Sequence, residues 1–305
     1  MQMEISSKFV GTSLRSLEVS VTARQTMNYA AAVGDDNPRY FHDETAEGII
    51  APPMFAVSLT WQICGRISEY LQAEDFPWEL LLTQVHYTEH LEFHRPIHPG
   101  ERLFIRGKVA AMIPRKAGTL IVLKFDAHDA ADHPVFTEHI GGMMRGVKCP
   151  DGGSGAQDLP SVSASPLNEN VIWEAQLFVD PLAPFIYDGC TDIHFPIHTS
   201  RKFASDVGLP GIIHQGTSTL AYAARELVNR EAGSNPALLK TLACRFTGMV
   251  LPGSDIRVRM NGRQTTDIGV LVSFDVLNAE GKKAISDGSA LLAIAKQSFL
   301  KITKY

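Results

Sequence analysis

The sequence predicts an α+β protein of two similar halves, each an antiparallel sheet curled around one buried helix. Three observations lead there. Over residues 54–71 nearly every side chain is apolar, among them Phe55, Val57, Leu59, Trp61, Ile63, Ile67 and Leu71. A helix that is apolar on most faces is buried on most faces. The periodicity then shifts towards two: residues 85–93, 101–112, 119–128 and 134–147 read as strands, with turns at Pro99-Gly100 and over 129–132. Consecutive strands with tight connections pair antiparallel. Finally, the order of features recurs. Gly211-Ile212-Ile213 precedes an apolar helix over 217–228 as Gly48-Ile49-Ile50 precedes the first, residues 245–256 resemble 92–103, and 271–276 resemble 120–126. A duplicated unit accounts for this order. Pairing the two sheets side by side would cover an edge strand of each.

The elements follow in order. Thr22 is a suitable N-cap for a short helix with Met27, Ala30, Ala31 and Val33 on its apolar face, and Gly34 stops it. Residues 35–43, rich in Asp, Asn and Pro, form a turn-rich polar loop. Pro53 suits the first turn of the apolar helix. Residues 151–166 are rich in Gly, Ser and Pro, and read as a linker with little to bury. They divide the chain into an N-terminal unit, residues 1–150, and a C-terminal unit, residues 167–305.

Composition narrows the function classes. With 305 residues, 45% of them hydrophobic, the chain can bury a sizeable core. A net charge of −5 without a basic run argues against nucleic acid or a membrane surface as partner. No apolar run reaches the roughly 18 residues a membrane-spanning helix needs, and the N-terminus lacks a signal-peptide pattern. Cys64, Cys149, Cys190 and Cys244 lie far apart with no CxxC spacing. Free thiols in a reducing, cytoplasmic setting fit better than disulfides or zinc. No phosphate-loop pattern occurs, and neither metal nor cofactor is expected.

The chemistry-bearing stretch is 189–199, followed by 208–217. It holds Asp192, His194, His198 and His214 just ahead of the second apolar helix. Titratable groups beside a helix N-terminus suit acid/base work on a substrate that develops negative charge. The plainer reading is a polar loop with one satisfied histidine. Trp61 and Trp78 read as core or rim residues.

Several marks together resemble the MaoC-like dehydratases of the hotdog fold, including the (R)-specific enoyl-CoA hydratases, some of which are fused double hotdogs. The marks are Asn37-Pro38, Ile50-Ala51-Pro52-Pro53, His94-Arg95-Pro96 with Pro99-Gly100, Pro196-Ile197-His198-Thr199 and Gly208-Leu209-Pro210. The resemblance implies a double hotdog and hydration or dehydration of an acyl thioester, carried on coenzyme A or a carrier protein. It implies His198 as the proton-transfer residue, with Asp192 or His194 as helper. Backbone N–H groups at Gly216 and Thr217 would receive the thioester oxygen. Asp35, Asn37 and Tyr40 would line the N-terminal unit's substrate-accommodating cleft, and Arg95 would meet a coenzyme A phosphate. A homodimer is one assembly this allows. The sequence also departs from the family pattern. Ile193 and Phe195 stand at its aspartate and asparagine positions, and Asp192 is one residue early, which turns a side chain to the opposite face of an extended segment. Gln215 replaces the histidine before the helix glycine, with His214 one earlier. In the first half Asp35, Asn37 and Pro38 match, but Tyr40 stands at the histidine position, with His42 two residues on. The two half-motifs should lie in separate clefts. Two alternatives stay open: a binding module or partner subunit with a degraded dyad, and a divergent dehydratase, cyclase or thioesterase.

Overall fold

The computed structural model describes residues 3–168 and 170–294. Its strands are β1 (Ser13–Ser20), β2 (Gln84–Phe93), β3 (Arg102–Arg115), β4 (Gly118–His128), β5 (Pro134–Arg145), β6 (Trp173–Val179), β7 (Leu239–Phe246), β8 (Ser254–Thr265), β9 (Val270–Leu277) and β10 (Lys283–Leu292). They form one 10-stranded sheet in the order β1-β3-β4-β5-β2-β7-β10-β9-β8-β6, and every ladder is antiparallel. From each outer edge inward the order is the same, 1-3-4-5-2 and 6-8-9-10-7. The two halves meet where β2 pairs with β7, from Thr88 opposite Arg245 to Glu92 opposite Thr241.

The helices are α1 (Ala23–Ala32), α2 (Phe55–Cys64), α3 (Ile67–Tyr70), α4 (Ala183–Thr191), α5 (Pro196–Thr199), α6 (Arg201–Asp206) and α7 (Gly216–Glu231). The expected cap is present: Thr22 and Gln25 form a reciprocal capping box at the start of α1. α2 and α7 are the two buried rods, and their side chains join both sheets in one core. The helix expected over 54–71 is shorter. Gly65 ends α2, and Arg66, at φ −131° and ψ 37°, leaves the helical region before α3 begins. Apolarity alone could not mark that break. α1 packs on α4, with the phenols of Tyr29 and Tyr187 hydrogen-bonded at 3.1 Å.

The repeat extends to individual backbone bonds. Ala51 N–H donates to Ile97 C=O and His214 N–H to Val250 C=O, both at 2.8 Å. Gly100 N–H meets Val21 C=O as Gly253 N–H meets Val179 C=O, both at 2.7 Å.

Residues 151–166 bury little, as expected, with only Gly155 and Ser165 buried, yet they are tied along the sheet as a strap. Ser154 exchanges both backbone bonds with Met112 at 2.9 and 3.0 Å. Further along, Ser165 is buried and its hydroxyl donates to that of Ser273 at 3.0 Å. Leu159 covers a small apolar cluster of Ala110, Ile113, Leu120, Val122 and Met143. Gly155 runs at φ +81°, and a Cβ there would fall 2.1 Å from Ala110 O, so only glycine fits this approach. All four cysteines are free thiols. No described helix is long and apolar enough to cross a membrane.

One core feature is not required by the fold. Glu89 and Glu138 are buried at 1% and 0% exposure, and His86 Nε2 lies 3.2 Å from Glu89 Oε2. Pairing of Phe93 with Phe136 and of Phe246 with Ile285 equates Glu89 with Leu242, which packs the same place without charge. Burial pushes the Glu89 carboxyl up to about 8, and burial with the neighbouring Glu89 holds Glu138 well above the usual range. An acid that binds its proton more tightly when folded favours the native state at low pH. That contribution is lost as pH rises from about 4.5 towards about 8. Buried histidines act oppositely: burial lowers His86 and His139 from 6.5 to about 4, so their contribution is lost as pH falls below 6.5. Between pH 6.5 and 8 the acids dominate. Urea unfolding should therefore show stability falling across that window, by up to about 1.4 kcal/mol per pH unit for each proton released. The slope should flatten in Glu89→Leu.

Candidate active site

The backbone bonds of the repeat equate the two loop motifs residue by residue. Ile50 N–H donates to Arg39 C=O at 3.0 Å, and Ile213 N–H to Ile197 C=O at 3.3 Å. Tyr40 thus corresponds to His198, Asn37 to Phe195 and Asp35 to Ile193. Each half keeps one member of an aspartate–histidine pair and lacks the other.

The motifs occupy separate clefts, as expected. Asn37 Nδ2 donates to Ser234 C=O beyond the C-terminal end of α7. In the other cleft, Trp61 Nε1 of α2 donates to His194 C=O. Around the first cleft, Tyr29, Asp35, Tyr40, Met54 and Arg225 line one depression, and Phe93, Arg95, Ile97 and Lys240 line another beside Pro52-Pro53. Asp35 accepts the Asn37 N–H at 3.2 Å, and burial raises its carboxyl to about 6. Arg95, expected to meet a phosphate, is instead held by Glu101 at 2.8 Å and Asp129 at 3.2 Å. The helix start here offers little to an anion. Prolines remove two donors, and Phe55, Ala56 and Val57 N–H are tied to the carbonyls of Pro52, Pro53 and Met54.

The second cleft differs at each of these points. His198 sits on α5, where Pro196 opens the short turn. Its Nδ1 lies 2.8 Å from Ile213 O. A carbonyl only accepts, so Nδ1 carries the proton and Nε2 keeps a lone pair. Burial lowers this imidazole to about 4, and it is neutral at pH 7. At the start of α7 no side chain caps the helix, and its first backbone bond runs from Thr219 N–H to Gln215 C=O. The N–H groups of Gly216, Thr217 and Ser218 are left for a ligand, at the positive end of a helix of 16 residues. Gln215 does not cap because its side-chain amide donates to Pro184 C=O at 2.9 Å. Thr217 is fixed from below, its hydroxyl accepting from Tyr187 OH at 3.2 Å. A Cβ on Gly216 would come within 3.0 Å of the Phe246 ring, so glycine lets that ring pack against the helix start.

The proposed helpers of His198 are not brought to it. Asp192 is exposed and ends α4 in a left-handed conformation at φ +57°. His194 is exposed, its Nδ1 3.1 Å from Asp192 O. Neither forms a hydrogen bond or ion pair with His198. Ile193, at the aspartate position, is the buried one at 3%. The one-residue shift does turn the carboxylate away.

The sequence places His214 beside the helix start without giving it a role. It is 3% exposed, its ring stacks on Tyr222 with centroids 5.6 Å apart and planes at 13°, and neither ring nitrogen has a hydrogen-bond partner. Gln215 Oε1, one residue on, is also buried without a partner. Leaving such a group unpaired costs about 1–3 kcal/mol. Burial, with His198 nearby, lowers the His214 imidazole to about 3. The available signal was Ala51 at the equivalent place, an apolar residue exchanged for a titratable one. Among the described residues no cluster suited to a metal ion occurs.

Two five-stranded units, each wrapped on a central helix and paired edge to edge, make this a double-hotdog protein. Residues 172–280 match the MaoC like domain family, and residues 8–138 the FAS1-like dehydratase domain region. Each half thus matches a dehydratase-type model, the C-terminal half that of the MaoC like domain. It is 23% identical over 297 residues to a protein of Dictyostelium discoideum called probable enoyl-CoA hydratase 2, covering 96% of this chain and 98% of that one. Its fold superposes on a MaoC-like dehydratase from Phytophthora capsici with a TM-score of 0.79 at 20% identity, covering 94% of this chain and 98% of that one. It also superposes on the peroxisomal multifunctional enzyme type 2 of Drosophila melanogaster with a TM-score of 0.69 at 20% identity, covering 92% of this chain and 48% of that one.

Titration followed by histidine NMR should find His198 and His214 neutral down to acid pH, with midpoints near 4 and 3. The nitrogen shifts of His198 should report the Nδ1–H form.

Proposed function

We propose that this chain is a hydro-lyase that adds water to, or removes it from, an acyl thioester at the second cleft. The observation that supports it best is the neutral His198, its Nε2 lone pair free, beside the uncapped start of α7. Water oxygen bonds to the β-carbon of a 2-enoyl thioester while His198 Nε2 takes one of its protons. The π electrons shift towards the thioester oxygen, whose charge the Gly216 and Thr217 N–H groups receive. The same Nε2–H then returns its proton to the α-carbon, leaving a 3-hydroxyacyl thioester and a neutral imidazole. Dehydration is the reverse. One base suffices, because the proton removed is the proton delivered. The name of the Dictyostelium relative supports a coenzyme A thioester, and the free thiols support a cytoplasmic setting. The apolar Ile193 supports a second reading, a module that binds thioesters without turnover.

Loss of enoyl absorbance from crotonyl-CoA and longer 2-enoyl-CoAs tests the proposal. Turnover should be seen, and His198→Ala should lower kcat/KM by about 10²–10⁴-fold. Full activity in that variant removes His198 from the chemistry. Calorimetric binding without turnover at any chain length establishes the second reading instead.

A further inference from the structure

Water held for attack needs two acceptors: one takes the proton that is lost, the other fixes the remaining O–H. With Ile193 buried where the family places a carboxylate, His198 supplies only the first. The second half departs from the first at one more buried position. Ala51 and His214 are equivalent by their backbone bonds to Ile97 and Val250. The first half therefore shows that an apolar residue satisfies the fold there. His214 is nevertheless retained, 97% buried, with two unpartnered ring nitrogens. It directly follows Ile213, whose carbonyl holds the His198 ring, and directly precedes Gln215 and the free N–H groups of α7. Its ring plane is set by the stack on Tyr222.

We infer that His214 is a second catalytic imidazole, whose lone pair holds the reacting water or 3-hydroxyl against His198 in place of the missing carboxylate. This rests on the assignment of the second cleft to thioester hydration. The pair differs from a carboxylate–imidazole pair in carrying no charge before water adds, and no charged side chain hydrogen-bonds to either ring. Binding of the thioester itself, through the α7 N–H groups, does not involve His214. Its loss should therefore appear in kcat and not in KM.

The test compares His214→Phe and His214→Gln with the wild-type chain in the enoyl-CoA assay. Phenylalanine keeps the stack on Tyr222 and removes both nitrogens, and glutamine restores an acceptor. The expected result is a fall in kcat of about 10²-fold for His214→Phe with KM within threefold. His214→Gln should recover to within about tenfold of wild type, and both melting temperatures should stay within a few degrees. The inference is overturned if His214→Phe keeps its kcat, if the loss is confined to KM, or if folded His214→Gln is as slow as His214→Phe. Should His214→Phe fail to fold, His214→Ala takes its place under the same criteria. His198→Ala at full rate would sink the site as a whole. An inactive His198→Ala beside a fully active His214→Phe would sink only the role given to His214.

Discussion

The antiparallel pairing of β2 with β7 is the constraint from which the remaining geometry follows. It joins the halves edge to edge and relates them by a pseudo-twofold, so that α2 and α7 lie head to tail. Each loop motif therefore reaches the far end of the opposite half's helix, as the Asn37–Ser234 and Trp61–His194 bonds record. Neither cleft belongs to one half alone. A shift of that pairing by one residue would turn every inward side chain of one half to the outer face and dissolve both clefts together.

Duplication freed the two clefts to diverge, and the divergence is concentrated at the helix starts. At α2, prolines and turn bonds use up the donors, while Asp35 remains beside a tyrosine. At α7, an unhindered glycine and a missing cap leave three N–H groups available beside His198. The second arrangement suits an oxygen that becomes negative during reaction, because the donors are already aimed and need no reorganisation. A retained carboxylate without such donors, as at Asp35, can hold a proton but cannot stabilise an enolate.

Much of the fold was legible. The apolar rod of α2, the N-cap at Thr22 and the alternation of β2 to β5 are local signals, and the repeat doubled the weight of the rod and the strands. The outer strands β1 and β6 carry few buried residues, Leu14 and Val19 in the first and Ala175 and Val179 in the second, so their period is faint. The strap over 151–166 escaped because its bonds run to strands distant in sequence. At the candidate site, motif and helix position single out His198, Gly216 and Thr217, and the fold sets His198 against Ile213 C=O and leaves the Gly216 and Thr217 N–H groups unbonded. Asp192 and His194 were over-read, since only the left-handed turn at Asp192 decides which side chain goes inward. That His214 is buried without a hydrogen-bond partner was not legible, because this is a property of the folded state, not of spacing.

The seam strand β2 is polar for a central strand: Gln84-Val85-His86-Tyr87-Thr88-Glu89-His90-Leu91-Glu92-Phe93. Its partner β7 leaves the ribosome about 150 residues later. Throughout that delay the nascent N-terminal half presents β2 as an open edge, available to the same edge on a neighbouring chain. Glu89 and Glu92 put two carboxylates on that edge, and charged side chains on an open strand disfavour its pairing with a copy of itself. Glu89, which the finished core buries and keeps protonated, thus also serves on the open edge of the half-made molecule until its own second half arrives.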